Sequence, residues 1–223
     1  GFDFEKIDKD LFGNTRTSKN NSVGAINQVL GSDPNILDKE KYGPSWFTNE
    51  KPAATLQTLT ATTDEGDLAK QIVQAKNGDI IALESGVHNI SQSLVINKKI
   101  TIQSKNPADK AQILYAGAAD APAFEMHPKG DLQLKQVILS GKGTGNAFGN
   151  LKENMSSLYN LNVSDTEINN FDYVLKAYKE TFADSITFTN SILKNCQNGI
   201  ELAAETNDRG DYNVEFLMFL FFC

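Results

Sequence analysis

Leu161-Asn-Val-Ser-Asp-Thr-Glu-Ile168-Asn-Asn170 and Ile186-Thr-Phe-Thr-Asn-Ser-Ile-Leu193-Lys-Asn195 are two copies of one pattern, 25 residues apart. A third copy, Leu132-Gln-Leu134-Lys-Gln-Val-Ile-Leu139-Ser-Gly141, precedes the first by 29 residues. Repeats at periods of 20–50 residues indicate a solenoid or a propeller. Each copy reads as strand, turn, strand, with aliphatic side chains alternating with polar ones and Asn or Gly at the corner. One such unit per repeat favours a β-helix, in which every coil adds about 4.8 Å, the spacing between paired strands. In that geometry Asn170 lies over Asn195, and the two predict an internal amide ladder.

The same punctuation extends in both directions. From Asp79 onward, short strands are predicted at Ile80–Leu83, Leu94–Ile96, Ile100–Gln103, Ile113–Tyr115, Ala123–Met126, Leu132–Leu134, Val137–Leu139, Leu158–Val163, Tyr173–Ala177, Ser185–Thr189 and Gly199–Leu202. Few of the intervening turns have the two-residue form that a hairpin needs. Before them, Leu56–Thr62 reads as a strand. Thr62 and Glu65 stand at capping-box spacing and open a helix predicted to run to Lys76. Asn77-Gly78 stops it. Such a helix would cover the open edge of the first coil. The fold class expected is all-β: a right-handed, single-stranded parallel β-helix with one N-terminal capping α-helix.

The ends follow a different logic. Residues 1–54 carry breakers such as Gly13-Asn14, Gly31-Ser32-Asp33-Pro34 and Gly43-Pro44, and no apolar group long enough to build a core. They read as the remnant of a preceding domain (1–29) and a linker (30–54), with the β-helix at 55–216. Asn213-Val-Glu-Phe216 begins another coil, but Leu217-Met-Phe-Leu-Phe-Phe-Cys223 does not turn polar where the repeat does. Residues 217–223 are therefore expected to be an aberrant apolar tail, β-prone and uncharged. The chain opens on Gly1 with no basic, apolar leader, as a piece of a longer or processed chain would.

Composition bounds the function. Hydrophobic content of 40% and charged content of 22% are ordinary for a globular protein of 223 residues. A net charge of −7 argues against nucleic acid or an anionic membrane as the main partner. No stretch has the roughly 18 apolar residues of a membrane-spanning helix. Two cysteines, Cys196 and Cys223, are too few for a disulfide framework or a thiolate zinc site.

Several longer runs are familiar as a set. Asp10-Leu-Phe-Gly-Asn14 with Arg16 and Ser22-Val-Gly-Ala25 resembles the closing segment of a pectate-lyase-like or chondroitinase-B-like β-helix. Gly43-Pro-Ser-Trp46 resembles the linker that follows it. Gly78-Asp-Ile-Ile-Ala-Leu-Glu-Ser-Gly86, Pro122-Ala-Phe-Glu-Met-His-Pro-Lys129, Lys152-Glu-Asn-Met-Ser-Ser-Leu-Tyr159 and Phe171-Asp-Tyr-Val-Leu-Lys-Ala-Tyr-Lys-Glu180 are similar to the C-terminal β-helix of two-domain alginate lyases of polysaccharide lyase family 6. The resemblance implies a parent enzyme that cuts alginate by β-elimination outside the cytoplasm, whether secreted, periplasmic or at the cell surface. It implies a preceding catalytic domain holding calcium, with a lysine base and an arginine nearby. Nearly all of that domain would lie outside this chain, so no catalytic residue, metal ligand or cofactor is assigned within it.

Candidate binding residues come from charge. Between Lys98 and Lys152 there are eight lysines and four carboxylates, a local excess of +4 in an acidic chain. If they shared one face, they would attract an anionic polysaccharide such as alginate. Lys98, Lys99 and Lys105 are the candidates there. Lys176, Tyr178 and Lys179 follow a predicted strand and could contact sugar through ring stacking and an ammonium–carboxylate pair. His88 and His127, the two histidines, have no partner at motif spacing and read as structural. Arg209, in Glu205-Thr-Asn-Asp-Arg-Gly-Asp211, reads as part of a solvated turn. Three readings follow: an accessory β-helix of an alginate lyase, a non-enzymatic surface solenoid that binds glycan or protein, and a lyase in its own right using Lys176 or Lys179 as base.

Overall fold

In a computed structural model of the protein, Lys9, Asp10, Thr15, Arg16 and residues 56–152, 155–178, 183–202 and 212–222 are described. The chain divides into two units, Gly1–Ala53 and Ala54–Cys223. In the first, Lys9 and Thr15 form an antiparallel bridge and Asp10 is buried. The remainder of the expected domain remnant and linker lies outside the described residues.

The second unit is a parallel β-solenoid of about six turns. Three stacks of strands run along it. The first contains β1 (Thr58–Ala61), β2 (Ile80–Leu83), β5 (Lys99–Ser104), β8 (Asp131–Lys135), β11 (Tyr159–Ser164), the first half of β14 (Ala183–Lys194) and β16 (Tyr212–Phe222). The second contains β3 (Val87–Ile90), β6 (Gln112–Tyr115), β9 (Ile138–Ser140), β12 (Glu167–Asn169) and the second half of β14. The third contains β4 (Leu94–Ile96), β7 (Pro122–Met126), β10 (Asn146–Asn150), β13 (Tyr173–Ala177) and β15 (Asn198–Leu202). Every one of these pairings is parallel, so the chain visits each stack in turn and returns one rung higher.

Register fixes which side chains meet. Leu132, Leu161 and Ile186 are partners on successive rungs, as the repeats require. Inward columns such as Ile102–Leu134–Val163–Phe188 are buried at 0–1% exposure. Aromatic rings continue the stacking inside: Phe124 on Phe148 at 5.8 Å and Phe188 on Phe216 at 5.6 Å between centroids. Each buried aliphatic or aromatic side chain contributes about 1.5–3 kcal/mol.

The corners need left-handed backbone. Gln136, Asp165 and Asn190 share one corner at φ 56°, 51° and 47°. Asn170 and Asn195 share the next at φ 58° and 52°. Amide-bearing side chains tolerate this region better than most. Gly141 stands below Asn170, where a Cβ would come 2.3 Å from the Asn170 carbonyl oxygen. The expected amide ladder of Asn170 on Asn195 does not form, and the other corner carries a single Asn–Asp bond between rungs. Asn190 Nδ2 donates to Asp165 Oδ1, whereas Asn170 Nδ2 donates to its neighbour Asn169 Oδ1 at 3.0 Å.

The helix α1 is shorter than expected, Asp67–Gln74. Gly66, at φ 78°, takes the N-cap position, and no side chain caps the helix there. Thr62 and Glu65 therefore form no capping box. Instead Thr62 N donates to Asp67 Oδ2 at 2.8 Å, which folds residues 62–66 into a turn before the helix. Leu68 and Ile72 are buried and Val73 is 77% exposed. The helix lies against β1, β2 and β4, over the first coil.

β16 pairs with β14 as far as Phe222. Residues 217–222, expected as a tail outside the repeat, are thus the continuation of its last strand. Among the described residues no helix is long and apolar enough to cross a membrane.

Candidate functional site

Each stack presents a different outer surface, because strand side chains alternate in and out. On the second stack the outward positions mix types: Val87, Gln112, Ile138, Glu167 and Ile192 follow one another up the rungs. On the third they are Val95, Glu125, Gly149, Lys176 and Glu201. The first stack differs from both. Thr101, Gln133, Asn162 and Thr187 form its central row. Lys99, Asp131, Asn160 and Ser185 flank that row on one side. Gln103, Lys135, Ser164 and Thr189 flank it on the other.

No apolar side chain occurs among these twelve positions of the first stack, and all but the exposed Lys99 are half-buried. They are mostly short hydroxyls and amides on a grid with about 4.8 Å between rungs. Thr187 Oγ1 donates to Asn162 Oδ1 at 2.6 Å, so the central row is partly linked to itself. Lys99 Nζ lies 3.4 Å from Asp131 Oδ2. The Lys135 ammonium has neither a hydrogen bond nor an ion pair among the described residues. These twelve positions therefore carry two lysines and one aspartate, with Lys135 the unpaired charge among them, and the exposed Glu215 of β16 follows Thr187 in the central row.

Of the residues expected to bind substrate, those among the described residues do not share a face. Lys98 Nζ donates to three carbonyls at the C-terminal end of α1, those of Ile72 (3.1 Å), Val73 (3.2 Å) and Ala75 (3.0 Å). Its ammonium holds the helix, as a cation at a helix C-terminus does. Lys99 is on the first stack, paired with Asp131. Lys105, at the corner after β5, pairs with Glu84 at 3.4 Å. Lys152, on the far side of β10, lies 3.8 Å from Asp120 and 5.1 Å over the Tyr178 ring. Among the described residues, Lys98, Lys99, Lys105 and Lys152 are thus spread around the solenoid and do not form one basic face.

On the third stack the charges answer one another. Lys176 Nζ lies 3.8 Å from Glu201 and 4.5 Å over the Tyr173 ring. A hydrogen bond to the Glu201 carboxylate, reinforced by desolvation and by that same charge, holds the Tyr173 hydroxyl above its ordinary range. Tyr178 donates its hydroxyl to the Asp120 carbonyl at 3.3 Å, and its backbone N–H to Asn150 Oδ1 at 2.8 Å. Below them His127 Nε2 and Glu125 Oε1 are 2.6 Å apart, a partner that sequence spacing did not reveal. Lys179 and Arg209 lie outside the described residues.

Two further groups are structural. His88, 2% exposed, heads the inward column of Ile113, Leu139 and Ile168, with Nε2 2.8 Å from the Glu84 carbonyl oxygen. Cys196 is a free thiol whose pKa burial pushes up. Among the described residues no three His, Cys, Asp or Glu side chains converge as a metal site would require.

No family model matches the chain, and no curated protein matches it significantly. Solved structures do. The chain is similar to the PL6 family alginate lyase AlyGC, with a TM-score of 0.68 and 23% identity over 82% of this chain and 27% of that one. A mutant of the same enzyme gives a TM-score of 0.55 and 17% identity over 81% of this chain and 32% of that one. At these identities the likeness is one of fold. The chain spans about a third or less of the length of the enzyme it matches.

Proposed function

We propose that this chain is the accessory β-helix portion of an alginate lyase, where it assists substrate binding or braces a catalytic domain. The observation that carries the reading is the fold likeness to AlyGC: it runs through 82% of this chain while leaving most of that enzyme unmatched. The partner is then a polyuronate, and the place of action is where that polymer occurs, outside the cytoplasm.

The side chains favour binding over cleavage. β-Elimination from a uronate needs a neutralised carboxylate, a base at C5 and an acid at the leaving oxygen. A lysine base must be free to reach the sugar, and Lys176 Nζ is engaged by the Glu201 carboxylate 3.8 Å away. The same carboxylate holds the Tyr173 hydroxyl above its ordinary range.

The test is to incubate the purified chain with polymannuronate and calcium and to follow the ultraviolet absorbance of unsaturated product. In parallel, its retardation in an alginate-containing native gel is measured. Retardation without turnover is the expected outcome. Turnover would overturn the accessory role and point to Lys176 or Lys179 as base. Absence of both would favour a solenoid that binds protein or serves only as a brace.

A further inference from the structure

We infer that the polysaccharide contacts the outer face of the first stack, with the central row Thr101, Gln133, Asn162 and Thr187 as its bed and Lys135 as its charged anchor. This rests on the binding role proposed above and assigns it to a surface that the lysine-rich window did not indicate.

Three observations single out this face. Its outward positions across β5, β8, β11 and β14 hold no apolar side chain; on the coil before them the half-buried Ile80 continues the central row, as the exposed Val87 and Val95 continue the outward rows of the other two stacks. A protein partner would be expected to bury apolar side chains at the centre of its contact. A hydrated sugar chain is matched instead by a dense field of hydroxyls and amides, which both donate and accept. The second observation is spacing. The central row repeats at each rung, about 4.8 Å, a step comparable to the advance of an extended pyranose chain per residue. A chain lying along the solenoid axis meets an equivalent side chain at every sugar.

The third is charge. Lys99 and Asp131 neutralise each other at 3.4 Å, and the lysines of the third stack are likewise paired with acids. Lys135 has no such partner among the described residues. A uronate carboxylate beside Lys135 would supply the missing counter-charge, and this charge complementarity selects a polyuronate over a neutral glycan. Charge-assisted hydrogen bonds of this kind are about twice as strong as neutral ones.

Retardation of the whole chain in native gels cast with polymannuronate tests the inference, with dextran as the neutral comparison. Lys135→Ala is expected to weaken apparent affinity for polymannuronate about tenfold. The double variant Asn162→Ala, Thr187→Ala is expected to weaken it by a similar factor. Lys176→Ala, on the third stack, is expected to leave it within twofold. Because all these positions point outward, unchanged far-ultraviolet circular dichroism should accompany each variant. Wild-type retardation that survives both first-stack variants, or is lost only with Lys176→Ala, overturns this assignment and leaves the binding role standing. Equal retardation in dextran would overturn the anchoring by Lys135. No retardation of the wild type would overturn the binding role itself and the assignment with it.

Discussion

Three carbonyls at one helix end converge on the ammonium of Lys98. Lys98→Met keeps the apolar stem and removes the charge. It should lower the unfolding free energy by about 1–2 kcal/mol and leave retardation by polymannuronate unchanged. Urea titration and the native gel measure the two effects. A loss of binding with no loss of stability would contradict the assignment. Asp79 is a second residue of this kind. Its carboxylate accepts the backbone N–H groups of Lys76 at 2.8 Å and Gln57 at 3.0 Å. These bonds, that to Lys76 foremost, hold its pKa below the ordinary 3.8, and Asp67 is lowered likewise by the Thr62 N–H. A carboxyl lowered on folding stabilises the native state fully above its unfolded pKa, and that contribution disappears as pH falls toward the native value. The urea midpoint should therefore hold steady from neutral pH to about 5 and drop below about 4. Asp79→Asn should show a shallower drop. Identical acid limbs would contradict it.

The corners and the cap decide how strands become coils. Asn170 sits at φ 58° with Gly141 directly below it. Asn170→Gly should be tolerated, whereas Asn170→Val should cost about 1–2 kcal/mol, the penalty of a left-handed backbone for a residue with a branched Cβ. Gly141→Ala forces a Cβ to 2.3 Å from a backbone carbonyl and 2.8 Å from the Phe171 ring, so the corner itself must move. A melting temperature unaffected by Gly141→Ala would refute that packing. This level was largely legible in the sequence. Most strands were placed to within a residue or two, because alternation and Asn or Gly corners are local signals. The strands that escaped were β3 and β10, whereas β12 is the second strand of the Leu161–Asn170 repeat. Asn146-Ala-Phe-Gly-Asn150 is short and contains glycine, so nothing local marks it as a strand, though all five residues are buried. The helix start was misread because Gly66 in a left-handed conformation displaced the Thr62 cap, a choice made by Asp67 reaching back to Thr62.

For the whole molecule, what matters is which residues the stacking brings together. Lys99 meets Asp131, Lys105 meets Glu84 and Lys176 meets Glu201, each pair more than twenty residues apart in sequence. Counting lysines along the chain finds an excess of charge but not its cancellation across rungs. Conversely, the polar row of Gln133, Asn162 and Thr187 was implicit in the repeats, since aligning Leu161 with Ile186 also aligns Asn162 with Thr187. It went unread because hydroxyls and amides form no motif until their rungs are stacked. Rung-to-rung register is thus the claim on which both the fold and the proposed binding face depend. A disulfide tests it most directly. In a Cys196→Ser, Cys223→Ser background, Asn162→Cys with Thr187→Cys places two thiols on adjacent rungs with Cα atoms about 4.8 Å apart, within bridging range. Asn162→Cys with Thr189→Cys separates them by about 8 Å, beyond it. The first pair should close to an intramolecular disulfide under mild oxidation while the second stays reduced. Closure of the second pair, or of neither, would contradict the stacked register.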